Sequence, residues 1–266
     1  MTDSTVNAAE IAKFSAMADA WWDPEGDFRP LHRFNPVRLA YIRDQAIRHF
    51  ARRDNERRPL DGLKVLDIGC GGGLLTEPLC RLGATVTGID AGEKNIAVAR
   101  LHAERMGLAI EYRQMTSETL ASEGKRFDIV LNMEVVEHVD NVPLYMKSCA
   151  ELVAPGGLLF SATINRTLRA LALAKFGAEY VLRWLPRGTH DWNRFLTPDE
   201  LEALITRNGL RIIDRTGVVY HPLADEWRQS SDMGINYMLL AGRDADAMPA
   251  AAGAGAAAPR KRRRSA

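Results

Sequence analysis

A glycine-rich segment carries the clearest chemical signal in this sequence. The apolar run KVLDI, residues 64–68, leads into Gly69 and Gly71, and a helical pattern follows. Glycines at a turn between a strand and a helix let the backbone approach a ligand closely, and the start of the helix offers N–H groups without intrahelical partners. Asp90 ends the next apolar run, about 20 residues beyond Gly69, where a carboxylate accepts hydrogen bonds from ribose hydroxyls. This spacing predicts a nucleoside-binding site.

Two further positions indicate which nucleoside the turn binds. The dinucleotide fingerprint G-x-G-x-x-G requires a glycine where this sequence has Leu74. Asp67 stands two residues before Gly69, and a carboxylate there would repel a pyrophosphate but attract an ammonium group. The pattern therefore favours S-adenosylmethionine over NAD. The alternative is a purely structural glycine turn.

Two carboxylates and an imidazole form a second candidate group. Glu134, Glu137 and His138 follow the apolar run FDIVLNM, at the carboxyl end of a predicted strand, where open α/β sheets bind ligands. His138 could act as a general base, because its ordinary pKa of about 6.5 suits proton transfer at neutral pH. Alternatively, the three side chains could hold a divalent cation such as Mg²⁺. The third interpretation is structural, because acidic residues are favoured at the start of a helix.

Strands that alternate with helices position both groups. Short apolar, β-branched runs are separated by stretches with helical spacing, a pattern typical of right-handed βαβ units. It predicts an α/β fold with a mostly parallel sheet and helices on both faces. The predicted strands are residues 64–70, 84–90, 127–133, 157–163, 210–217 and 235–242.

Helix signals flank these strands. Apolar residues at helical spacing predict a helix over residues 7–22, with Asn7 as its N-cap. Residues 23–35 are rich in proline, glycine and aromatic residues, which predicts an ordered loop, and a second helix is predicted over 36–50, with a proline in its first turn. Near the other end, residues 197–200 (TPDE) have the pattern of a capping box.

Composition limits the classes of protein that fit. The chain has 266 residues, of which 46% are hydrophobic and 26% charged, values of an ordinary globular protein that exclude a disordered or collagen-like chain. No apolar run reaches the roughly 18 residues of a membrane-spanning helix. The N-terminal residues lack the pattern of a signal peptide, and three cysteines without metal-type spacing fit reduced thiols. We therefore expect a cytoplasmic protein and exclude a disulfide-stapled secreted one.

The net charge of +1 hides an asymmetry along the chain. Residues 260–264 (RKRRR) are all basic, so the rest of the chain is mildly acidic. An acidic body argues against a nucleic-acid partner.

Longer motifs resemble a known family. VLDIGCGGG with GID is similar to the first two motifs of the class I methyltransferases. The segment WWDPEGDFRPLHRFNPVRLAYI, residues 21–42, together with NMEVVEHV, FLTPDEL and INYML, resembles the ubiquinone-biosynthesis O-methyltransferases. The resemblance covers about residues 9–242. The glycine motif is shared by many methyltransferases, whereas the WWD…LHR-x-NP-x-R segment is specific.

The resemblance implies a Rossmann-like, seven-stranded sheet and S-adenosylmethionine as the methyl donor. The donor contacts that it implies are Arg38, Gly69, Asp90 and Met133. An arginine at position 38 would pair with the methionine carboxylate, and Met133 would pack beside the adenosine. We also expect Trp21, Trp22 and His32 to cap the substrate pocket.

The activity that the resemblance implies is O-methylation of a ring hydroxyl on polyprenylated catechols or hydroquinones. Both O-methylation steps of ubiquinone biosynthesis are implied, on the polyprenyl-hydroxyphenol intermediate and on 3-demethylubiquinol. Such a hydroxyl is mostly protonated at neutral pH, so Glu134, Glu137 and His138 are the candidate catalytic residues, and some relatives with this E-x-x-E-H pattern look metal-dependent. The alternatives are O- or C-methylation of another aromatic acceptor, or a non-catalytic, membrane-associated subunit of a biosynthetic complex.

A segment with cations on one side and apolar residues on the other follows the fourth predicted strand. Residues 167–186 have the pattern of an interfacial helix that prefers anionic lipid; the alternative is a lid that packs on its own domain. Peripheral association with the inner membrane and contacts with other ubiquinone-biosynthesis enzymes are expected. The predicted organisation is a helical cap (1–50), a methyltransferase domain (51–243) with an amphipathic insertion (165–192), and a disordered basic tail (244–266).

Overall fold

A computed structural model describes residues 4–54, 56–172 and 194–246. Within them, eight strands form one sheet with the order β3-β2-β1-β4-β5-β8-β6-β7. The strands are β1 (Lys64–Ile68), β2 (Thr85–Asp90), β3 (Glu111–Gln114), β4 (Phe127–Met133), β5 (Val153–Ile164), β6 (Arg211–His221), β7 (Glu226–Ser230) and β8 (Asn236–Gly242). The helices are α1 (Ala8–Ala16), α2 (Arg29–His49), α3 (Thr76–Arg81), α4 (Glu93–Arg105), α5 (Ser117–Ser122), α6 (Val142–Glu151), α7 (Leu168–Ala172) and α8 (Pro198–Arg207).

The topology confirms the predicted α/β fold. Strands β3, β2, β1, β4 and β5 are parallel, whereas β8 pairs antiparallel with both β5 and β6. The chain reverses its direction of travel across the sheet between β1 and β4, and ligands of such sheets bind at the carboxyl ends of the strands at that point. The register places Ile68 beside both Ile89 and Asn132, so the residues that follow these three strands meet at one edge.

The sheet has one strand more than the resemblance implies. The additional strand, β7, forms a hairpin with β6 in which Trp227 pairs with Tyr220. It was missed because EWRQS is mainly polar and exposed, so it lacks the alternation of apolar residues that marks a strand. The polar strand β3 was missed for the same reason, since only Tyr112 is buried in it.

Helix α2 begins earlier than predicted. The predicted loop over residues 23–35 is wrong from Arg29 onward, and the proline expected in the first turn lies inside the helix. Phe34, Arg38 and Tyr41 are buried on one face of α2, at the spacing of three and four residues that aligns side chains. Their burial offsets the backbone hydrogen bond that Pro36 cannot donate.

The starts of two other helices, α1 and α8, were predicted correctly. Asn7 is the N-cap of α1, since its side chain accepts a hydrogen bond from the backbone N–H of Glu10. The helix ends at Ala16, short of the predicted residue 22, and a 3₁₀ turn follows over Ala18–Ala20. The capping box of α8, between Thr197 and Glu200, is present.

Both faces of the sheet are buried. On one face, core residues of the strands such as Leu66, Val130 and Leu159 pack with α6 and α8. On the other, neighbouring strand residues such as Val65 and Ile129 pack with α2 and α3. Alternate residues of the same strands thus face two cores, which explains why these strands appear as continuous apolar runs in the sequence.

Two predicted segments fall wholly or mostly outside the described residues. Most of the expected interfacial helix over 167–186 lies there, with only its beginning visible in α7, and so does the basic tail from residue 247 on. Within the described ranges, the structure contains no helix of the length and apolar character needed to cross a bilayer.

Candidate active site

The glycine turn lies between β1 and α3, as its sequence predicts. Gly69 and Gly71 have φ angles of +67° and +54°, the left-handed region that strains other residues. Neighbouring side chains also exclude a Cβ atom: it would lie 2.5 Å from Val135 at Gly69 and 2.4 Å from Trp21 at Gly71. Glycine is therefore required here both for the backbone conformation and for space.

Asp67, the residue before the last of β1, is a buried carboxylate next to this turn. The hydroxyl of Thr76 donates a hydrogen bond to its Oδ2 atom over 2.6 Å. Burial raises the pKa of Asp67 to about 7, because a single hydroxyl compensates little of the lost hydration. Asp67 lines a cavity, so a bound ammonium group beside it would stabilise the ionised form.

Asp90 ends β2 and is fixed by three donors. Its Oδ2 atom accepts a hydrogen bond from the Gly71 amide over 3.0 Å, and its Oδ1 atom accepts from the Gly92 amide over 2.7 Å and from Asn95 over 3.1 Å. Burial nevertheless raises its pKa. A carboxylate can accept about four hydrogen bonds, so Asp90 can still accept one from a ligand hydroxyl. This agrees with its predicted role at a ribose.

Two adjacent tryptophans hold the glycine turn. The indole N–H of Trp21 donates to Asn95 over 3.0 Å, and its ring stacks on Phe28 with centroids 3.7 Å apart. The indole N–H of Trp22 donates to the Gly72 carbonyl over 2.9 Å. Of the two tryptophans expected to cap the substrate pocket, Trp21 lines the cavity, whereas Trp22 is not among the described residues that line it.

His32 supports the same segment. Its Nε2 atom lies 2.9 Å from the Trp21 carbonyl oxygen, and it is not among the described residues that line the cavity. The sequence also gave no signal for Asn95, which links Trp21 to Asp90, because an asparagine in the first turn of a helix is common and its partner lies far away in the chain.

Arg38, which is buried, and Glu134, which is partly exposed, form an ion pair at the cavity. The Nη2 atom of Arg38 donates to Glu134 Oε1 over 2.6 Å, and the Arg38 side chain is only 3% exposed. The guanidinium lies over the Phe34 ring, 3.8 Å from its centroid, a cation–π contact. Glu134 has a left-handed φ of +58°, a strained conformation that is typical of functional positions. Arg38 thus already binds a carboxylate where the resemblance implies the carboxylate of the donor.

His138 ends a 3₁₀ turn over Val136–His138 and also lines the cavity. Its Nδ1 atom is 2.9 Å from Glu10 Oε2, and the ring meets Phe14 edge-on at 5.1 Å. Burial alone would lower the pKa of His138, but the hydrogen bond with Glu10 and the charge of Glu137 raise it above its usual value.

Glu137 differs from its two neighbours. It is almost fully buried, and it is absent from the described residues that line the cavity. Burial and the nearby charge of Glu134 raise its pKa. The predicted catalytic group is therefore split, with Glu134 and His138 at the cavity and Glu137 within the protein.

The alternative of a Mg²⁺ site at Glu134, Glu137 and His138 is not preformed in this arrangement. Glu134 pairs with Arg38 and His138 pairs with Glu10, so two of the three candidate ligands already have other partners. In the described part of the chain, no three His, Cys, Asp or Glu side chains are grouped so that they could hold a metal ion.

One cavity of about 630 Å³ connects these residues, within the usual range for a small-molecule site. On one side it is lined by Asp67, Gly69, Gly71, Asp90 and Met133. It extends to apolar and aromatic side chains from α2, the β6–β7 hairpin and the residue that precedes β8, which are Phe34, Tyr220, Trp227 and Ile235. The polar side fits the amino-acid and ribose groups of S-adenosylmethionine, and the aromatic side offers space for a second, apolar molecule.

The same fold occurs in known proteins. Residues 33–215 match a family model described as a methyltransferase domain. Similar solved structures include magnesium protoporphyrin IX methyltransferase from Synechocystis PCC 6803 with bound SAH, with a TM-score of 0.62 and 20% identity over 88% of this chain and 95% of that one. An S-adenosylmethionine-dependent methyltransferase from Clostridium acetobutylicum ATCC 824 has a TM-score of 0.59 and 13% identity, covering 88% of this chain and 98% of that one. The fold and the glycine turn thus define a class I methyltransferase.

Curated relatives narrow this class. The chain is 59% identical to a protein of Chelativorans sp. (strain BNC1) over 92% of its own length and 97% of the relative. It is also 59% identical to a protein of Rhizobium leguminosarum bv. trifolii (strain WSM2304), over 91% of this chain and 96% of the relative. Both are named ubiquinone biosynthesis O-methyltransferase, and the chain belongs to that family.

Proposed function

We propose that this protein transfers a methyl group from S-adenosylmethionine to a ring hydroxyl of a polyprenylated catechol or hydroquinone in ubiquinone biosynthesis. Both O-methylation steps are included, on the polyprenyl-hydroxyphenol and on 3-demethylubiquinol. The observation that carries the proposal is that one cavity is lined by the glycine turn, by a histidine with a carboxylate partner and by the aromatic side chains. The names of the curated relatives support the choice of pathway.

The residues on the polar side of the cavity would bind and orient the donor. Asp90 would accept hydrogen bonds from the ribose, Asp67 would face the ammonium group, and Arg38 would contact the carboxylate. When bound, S-adenosylmethionine supplies an electrophilic methyl group on its sulfonium sulfur. Much of the rate enhancement in such a displacement comes from holding the two reactants close and in line.

His138 would act on the acceptor. A phenolic hydroxyl with a pKa near 10 is a poor nucleophile at neutral pH while it keeps its proton. His138 would accept that proton at a ring nitrogen as the oxygen–methyl bond forms and the sulfur–methyl bond breaks. The proton thus passes to the imidazole, and the sulfur keeps the electron pair of the broken bond.

The aromatic side of the cavity would hold the ring and the first part of the prenyl chain. Phe34 and Trp227 contact each other with centroids 4.7 Å apart, and Trp227 also lies 5.4 Å from Tyr220. These side chains come from α2, β7 and β6, so the additional strand would contribute directly to acceptor binding.

Association with anionic lipid at the cytoplasmic face of the inner membrane is a further part of the proposal. At the start of the segment 167–186, Leu168 is 77% exposed and adjoins Arg169, while Ala170 lines the cavity. An apolar residue beside a cation suits a lipid surface, and a polyprenyl substrate resides in the bilayer. Flotation with liposomes containing anionic lipid should carry the protein upward; failure to float with either anionic or neutral liposomes would contradict this part.

The proposed reaction is tested by turnover. Purified protein, S-adenosylmethionine and reduced short-chain 3-demethylubiquinol should give S-adenosylhomocysteine and a quinol heavier by one methyl group. The same assay with a chelator tests the metal, and we expect no loss of rate because Glu134 and His138 are paired with Arg38 and Glu10. Donor binding without any methylated product would contradict the proposed acceptor.

A further inference from the structure

Helix α1 brings a carboxylate to the imidazole at the cavity. Glu10 Oε2 lies 2.9 Å from His138 Nδ1, although the two residues are 128 positions apart in the sequence. Both side chains are partly shielded, with exposures of 26% for Glu10 and 16% for His138, and both line the cavity. A contact of this kind between a histidine and a carboxylate orients the ring in many enzymes.

The chemistry of the pair fixes where the histidine holds its proton. The hydrogen bond with His138 lowers the pKa of Glu10, so the carboxylate is ionised at neutral pH and can only accept. His138 Nδ1 must therefore donate. In the neutral ring, Nε2 is then the nitrogen that can accept a proton.

The surroundings hold α1 in place over the site. Asn7 caps the helix by accepting a hydrogen bond from the Glu10 amide over 3.1 Å, and its side-chain amide donates to Asp140 over 2.7 Å. Asp140 also accepts from Arg194 over 3.0 Å. Phe14, one turn beyond Glu10, packs edge-on against the His138 ring. The orientation of the carboxylate is thus determined by a docked helix and its capping residue.

We propose that Glu10 is the positioning residue of the catalytic histidine, fixing the ring orientation and the tautomer of His138 for proton abstraction from the acceptor hydroxyl. This inference rests on the proposed function, because it requires His138 to be the base. Glu10 acts through His138, in a pair formed only when the N-terminal helix docks on the sheet domain.

The test is a double-mutant cycle on full-length protein with short-chain 3-demethylubiquinol. Glu10→Ala should lower kcat by about 10- to 100-fold, part of what a general base contributes, while KM for the acceptor and Kd for the donor stay within about twofold. Glu10→Gln should recover part of the loss, because its amide oxygen can still accept from Nδ1. In a His138→Ala background, Glu10→Ala should have no further effect on kcat.

Ala12→Gly, at an exposed position of the same helix, is the matched control for a merely structural role. It lowers the helix propensity of α1 but leaves the side chains of Glu10, His138 and Asp140 intact, so kcat should stay within about twofold of the wild type. Equal losses for Ala12→Gly and Glu10→Ala, or a full Glu10→Ala loss in the His138→Ala background, would overturn the inference.

The outcomes also separate this inference from the proposed function. Absence of turnover in the wild-type protein would contradict the proposed reaction itself. Wild-type turnover with an inactive His138→Ala variant and a fully active Glu10→Ala variant would contradict only the role of Glu10.

Discussion

At the residue scale, the two aspartates on the polar side of the cavity, Asp67 and Asp90, differ in how well their charges are stabilised. Asp90 accepts three hydrogen bonds, two of them from backbone amides. Asp67 accepts one from Thr76 and has its pKa raised by burial to about 7. A cation bound beside Asp67 would supply the missing stabilisation, so the negative charge of Asp67 is best compensated when a positively charged ligand is bound.

This difference predicts a pH dependence of donor binding. Above pH 7 Asp67 is ionised and attracts the ammonium group, whereas below pH 7 it takes up a proton and the attraction is lost. Donor affinity should therefore weaken as the pH falls, by up to about tenfold per pH unit below 7, in calorimetric titrations. Asp67→Asn keeps the shape and should flatten this dependence; an equally steep dependence in the variant would contradict the assignment.

The link between Trp21 and Asp90 gives a second prediction. Asn95→Ala removes the side-chain amide that donates a hydrogen bond to Asp90 Oδ1 and accepts one from the indole N–H of Trp21. The Kd for S-adenosylmethionine should rise by about five- to tenfold, corresponding to about 1 kcal/mol for a lost hydrogen bond. Lys94→Ala, at the exposed preceding position of α4, is the control and should bind normally. Unchanged affinity in Asn95→Ala would show that Asp90 needs no support from this link.

Residues whose roles depend on local spacing could be predicted from the sequence. Gly69, Gly71 and Asp90 were identified because a strand, a turn and a helix follow one another along the chain. The partners Glu10 and Asn95 were not identified, because each acts through a contact with a distant segment. The ion pair between Arg38 and Glu134 was missed for the same reason.

At the scale of elements, the β6–β7 hairpin and α2 form the aromatic side of the cavity together. Trp227 from β7 packs against Phe34 from α2, and the ring of Phe34 in turn lies beneath the Arg38 guanidinium. Phe34 thus connects Trp227, on the edge strand of the sheet, with Arg38 on the polar side of the cavity. The sequence did not predict it, since β7 is polar and the beginning of α2 was interpreted as a loop.

Removal of a side chain from the aromatic side of the cavity should weaken binding of the acceptor but not of S-adenosylmethionine. Trp227→Ala should raise KM for the quinol by about tenfold or more, because a half-buried aromatic contact contributes roughly 1 to 3 kcal/mol. The donor Kd should remain within about twofold, since the donor residues lie on other elements. Gln229→Ala, at an exposed position of the same strand, is the matched control. A loss of donor binding with unchanged acceptor KM would reverse the assignment of the two sides.

At the scale of the whole molecule, the active site depends on segments from both ends of the described chain. Helix α1 carries Glu10, the sheet carries Asp67 and Asp90, the 3₁₀ turn after β4 carries His138, and the hairpin carries Trp227. The α/β architecture could be predicted because the buried strands are strongly apolar and separated by helices. The way in which the N-terminal segment closes the site could not, because it depends on tertiary packing that no local pattern encodes.

The most direct test of the proposed site is a comparison of His138→Ala with the wild-type protein. We predict that kcat for methylation of reduced 3-demethylubiquinol falls by about 10²- to 10⁴-fold, the usual contribution of a general base, while the donor Kd stays within about twofold. This result would place the chemistry at His138 and donor binding elsewhere in the same cavity. Turnover at the wild-type rate would remove His138 from the mechanism and contradict the proposed site.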